Sequence, residues 1–249
     1  MHVSAPELSL ALRTEGFAVL PNVLTAAETA ALLRAIEAAP VTGSNFRRSQ
    51  DLFAIRAVLA EIPALQPILA ASALPTLLAA LFPGGCHLVK SIYFDKPAHS
   101  NWVVAWHQDL MISVDCRADL PGYGPWTVKS EGIAVQPPQP VLENICTIRL
   151  HLDSCDARNG ALKVVPGSHR RGPIHSAELP ELTAAPVLCP VPAGGAMLMK
   201  PLLLHASNRS TSSHSRRVLH LEFSSLELPP GVEWREKQAL VPSPPRSST

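Results

Sequence analysis

Two His-x-Asp steps stand in this chain, His107-Gln108-Asp109 and His151-Leu152-Asp153. On an extended backbone residues i and i+2 project from one face, so either step aims an imidazole and a carboxylate at one point. A further imidazole from a distant strand completes a two-histidine, one-carboxylate set, which leaves positions open on a non-haem iron(II) for both ends of an α-keto acid and then dioxygen. The distal candidate is His205, which ends the apolar run Pro201-Leu-Leu-Leu. Arg216 follows eleven residues later, after a Ser/Thr-rich turn. A hairpin there returns it beside His205, and its planar fork suits a carboxylate. Each residue also has a plain structural alternative: a core histidine for His205, a solvated pair at a strand end for Arg216-Arg217. Of the two steps, the first ends a strand and feeds a long irregular segment where a ligand is open to substrate. The second leads into the turn-like SCDARNG, where Asp153 is expected to satisfy turn amides.

The segments that carry these residues are short and β-like. Residues 87–94 (HLVKSIYF), 102–107 (WVVAWH), 145–152 (ICTIRLHL), 161–165 (ALKVV), 195–204 (GAMLMKPLLL) and 216–225 (RRVLHLEFSS) are rich in β-branched, aromatic and aliphatic residues and are set apart by Gly, Pro, Asn and Asp. That is the pattern of an antiparallel sandwich or barrel. Alternation in CTIRLHLD puts Thr147, Arg149, His151 and Asp153 on one face and Ile148, Leu150 and Leu152 on the other. Facing a barrel interior, Arg149 pairs with an anionic substrate group or an acidic co-substrate; facing out, it is a surface charge. The first third reads as helical. Residues 5–15 form a helix closed by Gly16, and 17–20 a strand. Thr25-Ala-Ala-Glu28 is a capping box opening a helix to about Ala39, and 49–82 is expected to be further helix broken near Pro63, Pro67 and Pro75.

Residues 110–144, with PGYGPW and QPPQP, fit no regular element and read as an active-site lid or insert. Tyr123, Trp126 and Lys129 on it either meet the substrate or, for the two aromatics, pin the lid. Residues 1–240 read as one domain, and 241–249 (VPSPPRSST) as a disordered tail.

Composition narrows the class. The chain has 249 residues, 47% of them hydrophobic and 16% charged, with a formal net charge of +1. That is enough for a sizeable core, and the balance points to neither a nucleic-acid nor a membrane-surface partner. The five cysteines are irregularly spaced and include no Cys-x-x-Cys pair, which argues against a disulfide framework or structural zinc and for a reducing, cytoplasmic compartment. No secretory signal pattern opens the chain, and no apolar run approaches the length of a membrane span.

Taken together, EGFAVLPNVLTAAE at the start, YFDKP at 93–97, WHQD at 106–109, NGALKVVPGSH at 159–169, GGAMLMKPLLLHASN at 194–208 and the arginine eleven residues past the distal histidine resemble the phytanoyl-CoA dioxygenase family of Fe(II)/2-oxoglutarate oxygenases. The likeness spans roughly residues 8–226. It implies a mainly β fold, a double-stranded β-helix or cupin-like jelly roll, with an N-terminal helical layer. It implies Fe(II) on His107, Asp109 and His205, and 2-oxoglutarate and O2 as co-substrates. Arg216 would bind the distal carboxylate of 2-oxoglutarate with help from Ser207, and Lys90 or Thr147 would line the same pocket. His151-Leu-Asp153 and His169 fall at structural positions of the family. Relatives that halogenate replace the carboxylate with a small residue; Asp109 is present, so hydroxylation of a small-molecule substrate is favoured. Trp126, Lys129 and Arg149 are the residues expected to meet it. Zinc on the same ligands would instead suit a hydrolase or lyase. A non-catalytic binding module is disfavoured by the intact ligand set.

Overall fold

The computed structural model describes residues 4–40, 42–48, 52–96, 103–129 and 132–240. The N-terminal part runs α1 (Ala5–Thr14), β1 (Phe17–Leu20), α2 (Ala26–Glu37), β2 (Phe46–Arg48), β3 (Leu52–Arg56), α3 (Val58–Glu61), α4 (Leu65–Ala71) and α5 (Leu74–Leu81). The β-rich part follows with β4 (His87–Lys96), β5 (Val104–His107), β6 (Ile112–Val114), β7 (Trp126–Lys129), β8 (Gly132–Val135), α6 (Gln139–Asn144), β9 (Cys146–His151), β10 (Leu162–Val164), α7 (Leu179–Leu182), β11 (Val187–Cys189), β12 (Ala196–Met199), β13 (His205–Ser207) and β14 (Arg216–Ser224).

A seven-stranded sheet in the order β1-β12-β9-β14-β4-β3-β2 and a four-stranded sheet in the order β11-β10-β13-β5 make up the jelly roll. All their pairings are antiparallel. Helices α1 to α5 cover the outer face of the larger sheet. Leu8, Leu32, Leu65 and Leu69 pack there against Ile148, Leu150, Leu198, Leu219, Leu221 and Phe223 in one apolar cluster. At about 25 cal/mol per Å² of apolar surface removed from water, burial on this scale is the main force holding helices to sheet. The capping box at α2 is present, with the Glu28 amide donating to Thr25 Oγ1 at 3.2 Å and the Thr25 amide to the Glu28 carboxylate at 2.7 Å. Gly16 ends α1 at φ +84°, and a Cβ there would run into the His169 ring. His169 Nε2 lies 3.2 Å from the Arg13 carbonyl, so the PGSH turn clamps the end of α1.

Two sequence expectations change. Residues 52–56 are not helix but strand β3, which pairs with β2 on one side and β4 on the other. Residues 110–144 are not irregular: β6, β8 and β7 form a third, three-stranded sheet, followed by α6. Ile112, Val114, Val135, Leu142 and Trp234 give this insert its own small core. The 241–249 tail lies outside the described residues.

Candidate metal centre

Strand pairing brings the two histidines together. His205 on β13 stands directly opposite His107 on β5, with ring centroids 4.1 Å apart. Asp109 lies just past the end of β5, its amide bonded to the Pro201 carbonyl at 2.9 Å. Its two carboxylate oxygens face the histidines, Oδ1 at 3.8 Å from His107 Nε2 and Oδ2 at 3.8 Å from His205 Nε2. Each imidazole Nδ1 is 2.8 Å from the carbonyl two residues earlier, Ala105 for His107 and Leu203 for His205. A carbonyl only accepts, so Nδ1 carries the proton and both Nε2 lone pairs point at the carboxylate. Burial pushes His205 well below its ordinary value, to about 4, partly offset by the nearby Asp109 carboxylate. Burial would raise Asp109, but the neighbouring imidazoles, His205 first, and the Lys90 ammonium hold it below the ordinary carboxylate range. Two neutral nitrogen donors and one ionised oxygen donor lie with their ligand atoms within 4.8 Å of one another. This is the donor set of a two-histidine, one-carboxylate iron site. Asp109 Oδ2 is buried and has no hydrogen-bond partner, as expected of an atom reserved for a ligand.

The triad opens on a cavity of about 220 Å³ that is also bordered by Arg216, Ser207, Lys96 and Arg149. Arg216 is 6% exposed. It gives one hydrogen bond, Nη1 to the Gly160 carbonyl at 2.9 Å, and its Nε has no partner. Ser207 Oγ is likewise buried and unpartnered. The site has one cationic wall and orphaned donors beside a metal-competent triad.

The sequence profile of the family described as phytanoyl-CoA dioxygenase (PhyH) matches residues 12–218. The chain belongs to that family. Its members are Fe(II)/2-oxoglutarate-dependent oxygenases, and so is this protein. No curated protein matches the sequence. Among solved structures, EctD from S. alaskensis with bound Fe is 19% identical, with a TM-score of 0.70 over 92% of this chain and 81% of that one. AviO1 from Streptomyces viridochromogenes Tue57 is 20% identical, with a TM-score of 0.66 over 92% and 99%. SnoK, an alpha-ketoglutarate-dependent carbocyclase of nogalamycin biosynthesis, is 17% identical, with a TM-score of 0.63 over 90% and 87%. At these identities the three structures establish the jelly-roll fold.

In this dioxygenase-family chain the rival step is put to other use. Asp153 binds Arg217, accepting from its backbone N at 2.9 Å and from its guanidinium at 2.8 and 2.9 Å. The expected turn amides are not its partners. β9 ends at His151, so Asp153 leaves the strand's alternation and turns away from the interior. His151 is 2% exposed, and neither ring nitrogen has a partner. Among the described residues it joins no metal-capable cluster.

Of the other expected residues, Arg149 borders the cavity, and Thr147 is buried on the same face of β9 with its hydroxyl unpartnered. Lys90 points elsewhere: its Nζ is 2.8 Å from Glu222 Oε1 and 2.9 Å from the Met111 carbonyl. Lys129 lines a separate cavity beneath the insert sheet, which Lys90 also borders. Trp126 and Tyr123 pack against the insert's apolar core.

Several site residues escaped the sequence reading. Lys96, inside the YFDKP motif, is 2% exposed and donates to the Asn208 carbonyl. It stands opposite Arg216 in the β4–β14 register. Burial and then Arg216 lower its pKa to about 8. Gln108, the middle residue of the triad step, anchors the outward side. Its Nε2 donates to Leu202 O at 2.6 Å and Gly172 O at 2.9 Å, and its Oε1 accepts from the Ile174 amide at 2.8 Å. The NG and PGSH motifs position rather than react. The Gly160 carbonyl receives Arg216, and Ser168 Oγ accepts from the Leu204 amide next to His205 at 2.9 Å.

Proposed function

We propose that His107, Asp109 and His205 hold iron(II), that Arg216 and Ser207 take the distal carboxylate of 2-oxoglutarate, and that the protein hydroxylates a small molecule. The observation that carries this reading is the conjunction of two features in one cavity: a triad with both Nε2 atoms presented, and a buried arginine whose Nε has no protein partner. A zinc hydrolase on the same ligands would have no use for that arginine. Iron with 2-oxoglutarate and O2 supplies the oxidising power, and succinate and CO2 leave.

The chain's own part is positional. The Ala105 and Leu203 carbonyls hold the imidazole tautomers. Gln108 locks the strand end, and the Gly160 carbonyl orients Arg216. The low exposure of Arg216 and Arg149 keeps water from competing for their guanidinium groups. No helix among the described residues is long and apolar enough to cross a membrane, and a reducing compartment such as the cytoplasm suits the five unpaired cysteines.

The test is turnover. With iron(II), 2-oxoglutarate and O2 the wild-type protein should form succinate, and His205→Ala should form none; equal succinate from both contradicts the assignment. For an identified substrate, a product heavier by one oxygen supports hydroxylation, and one lighter by two hydrogens moves the outcome to desaturation.

A further inference from the structure

A buried polar chain crosses the inner face of the large sheet, and the reaction proposed above gives it no role. It follows strand register. Arg149 on β9 stands opposite His220 on β14, and Glu222, two residues on, stands opposite Lys90 on β4. Arg149 Nη1 is 2.9 Å from His220 Nδ1, His220 Nε2 is 3.1 Å from Glu222 Oε1, and Lys90 Nζ is 2.8 and 3.0 Å from the two Glu222 oxygens. A guanidinium only donates, so His220 accepts at Nδ1 and carries its proton at Nε2, which it gives to Glu222. Every member therefore has one defined role. Lys90 and Glu222 neutralise each other, and the charge left at the cavity end is that of Arg149.

Arg149 is 7% exposed and borders the triad cavity, and its Nε has no partner. The Phe94 ring lies 5.9 Å from its guanidinium and edge-on to His220 at 5.9 Å, which holds the pair from the side. A buried guanidinium whose protein partner is a neutral imidazole carries a large desolvation cost unless an anion meets it. Its neighbours do not supply one. Arg216 and Lys96 share its sign. Asp109 is committed to the metal in the reading above, and Asp95, the other carboxylate bordering the cavity, takes the Tyr93 hydroxyl at 3.4 Å.

We propose that Arg149 is a second carboxylate receptor of this cavity, distinct from Arg216 and held in place by His220, Glu222 and Lys90. The inference rests on the iron and 2-oxoglutarate reading of the site. The carboxylate has two possible sources, the keto-acid end of 2-oxoglutarate beside the metal or a carboxylate on the primary substrate, and the receptor chemistry is the same for both.

Three variants test it: Arg149→Met removes the charge at similar length, Arg149→Lys restores a charge, and His220→Leu cuts the chain. Under anaerobic conditions, 2-oxoglutarate binding to the ferrous protein is read from its visible charge-transfer band. Acetate binding to that complex is read from the shift of the band. If Arg149→Met keeps iron but weakens 2-oxoglutarate about tenfold or more, the loss expected for one charged hydrogen-bonding partner, the carboxylate is that of the co-substrate. If 2-oxoglutarate binding holds and acetate binding weakens as much, the carboxylate belongs to the substrate. In either case His220→Leu should reproduce the change, the double variant should add little to it, and Arg149→Lys should recover part of it. If neither ligand is weakened beyond about twofold, well under the loss of one charged partner, the proposal is overturned. A wild-type protein with no band would contradict the iron reading instead. Arg149 is then judged by whether acetate raises the thermal midpoint of the apo-protein in wild type and not in Arg149→Met; equal shifts, or none, overturn it.

Discussion

Strands β9 and β14 lie side by side in the large sheet, and their two faces are equally buried but chemically opposite. On the helix side, Ile148, Leu150, Leu219, Leu221 and Phe223 are at most 1% exposed and belong to the main core. On the inner side, Thr147, Arg149, His151, Arg216, His220 and Glu222 are all 7% exposed or less. The outer face satisfies everything it buries. The inner face leaves Thr147 Oγ1, both His151 nitrogens and the Nε atoms of Arg149 and Arg216 without partners. Each unmet buried group costs about 1–3 kcal/mol. A protein that keeps several on one face and none on the other has one face for holding the fold and one for holding ligands.

Substitutions on each face should therefore fail differently. The largest effect is expected at the triad: His205→Ala should lose more iron affinity than the roughly hundredfold that follows loss of a mere supporting hydrogen bond, as read by equilibrium iron binding, while the fold survives. Next, Arg216→Ala should keep iron and weaken 2-oxoglutarate about ten- to a hundredfold in an anaerobic titration. The opposite face inverts the pattern. Leu219→Ala should cost about 2–5 kcal/mol of stability in denaturant unfolding and leave iron affinity as it is; a ligand defect without a stability defect would erase the distinction between faces.

The smallest effect belongs to His151. Burial and then the neighbouring Arg149 hold its pKa well below the ordinary 6.5, so it is neutral in the fold but takes a proton when unfolded. Its contribution to stability is thus present above pH 6.5 and is lost as pH falls below that value toward its depressed folded pKa. His151→Ala should flatten this acid-side slope in unfolding measured against pH, and should leave iron affinity nearly unchanged. An iron loss like that of His107→Ala would overturn the choice between the two His-x-Asp steps.

The parts of this molecule legible in its sequence are those fixed by local pattern. Alternation in CTIRLHLD gives β9 with its faces, the composition of RRVLHLEFSS gives β14, and Thr25-Ala-Ala-Glu28 gives the start of α2. That His107, Asp109 and His205 would come together was legible from strand ends and, above all, from the motifs of the family resemblance. The hairpin of β2 and β3 was not: its apolar spacing also suits a helix, and its pairing with distant β4 decides. The insert sheet was hidden by short, Pro-flanked strands. Lys96, His220 and Glu222 were missed because their partners are set by register across strands far apart in sequence, Arg216 for Lys96, Arg149 for His220 and Lys90 for Glu222. No local spacing announces such a pair.

The most direct test of the central claim is anaerobic titration of the purified apo-protein with iron(II) and 2-oxoglutarate, followed by visible absorption. Wild type should show a metal-to-ligand charge-transfer band that is absent in His107→Ala. Iron that binds without the band, or a band that survives in His107→Ala, would contradict that claim.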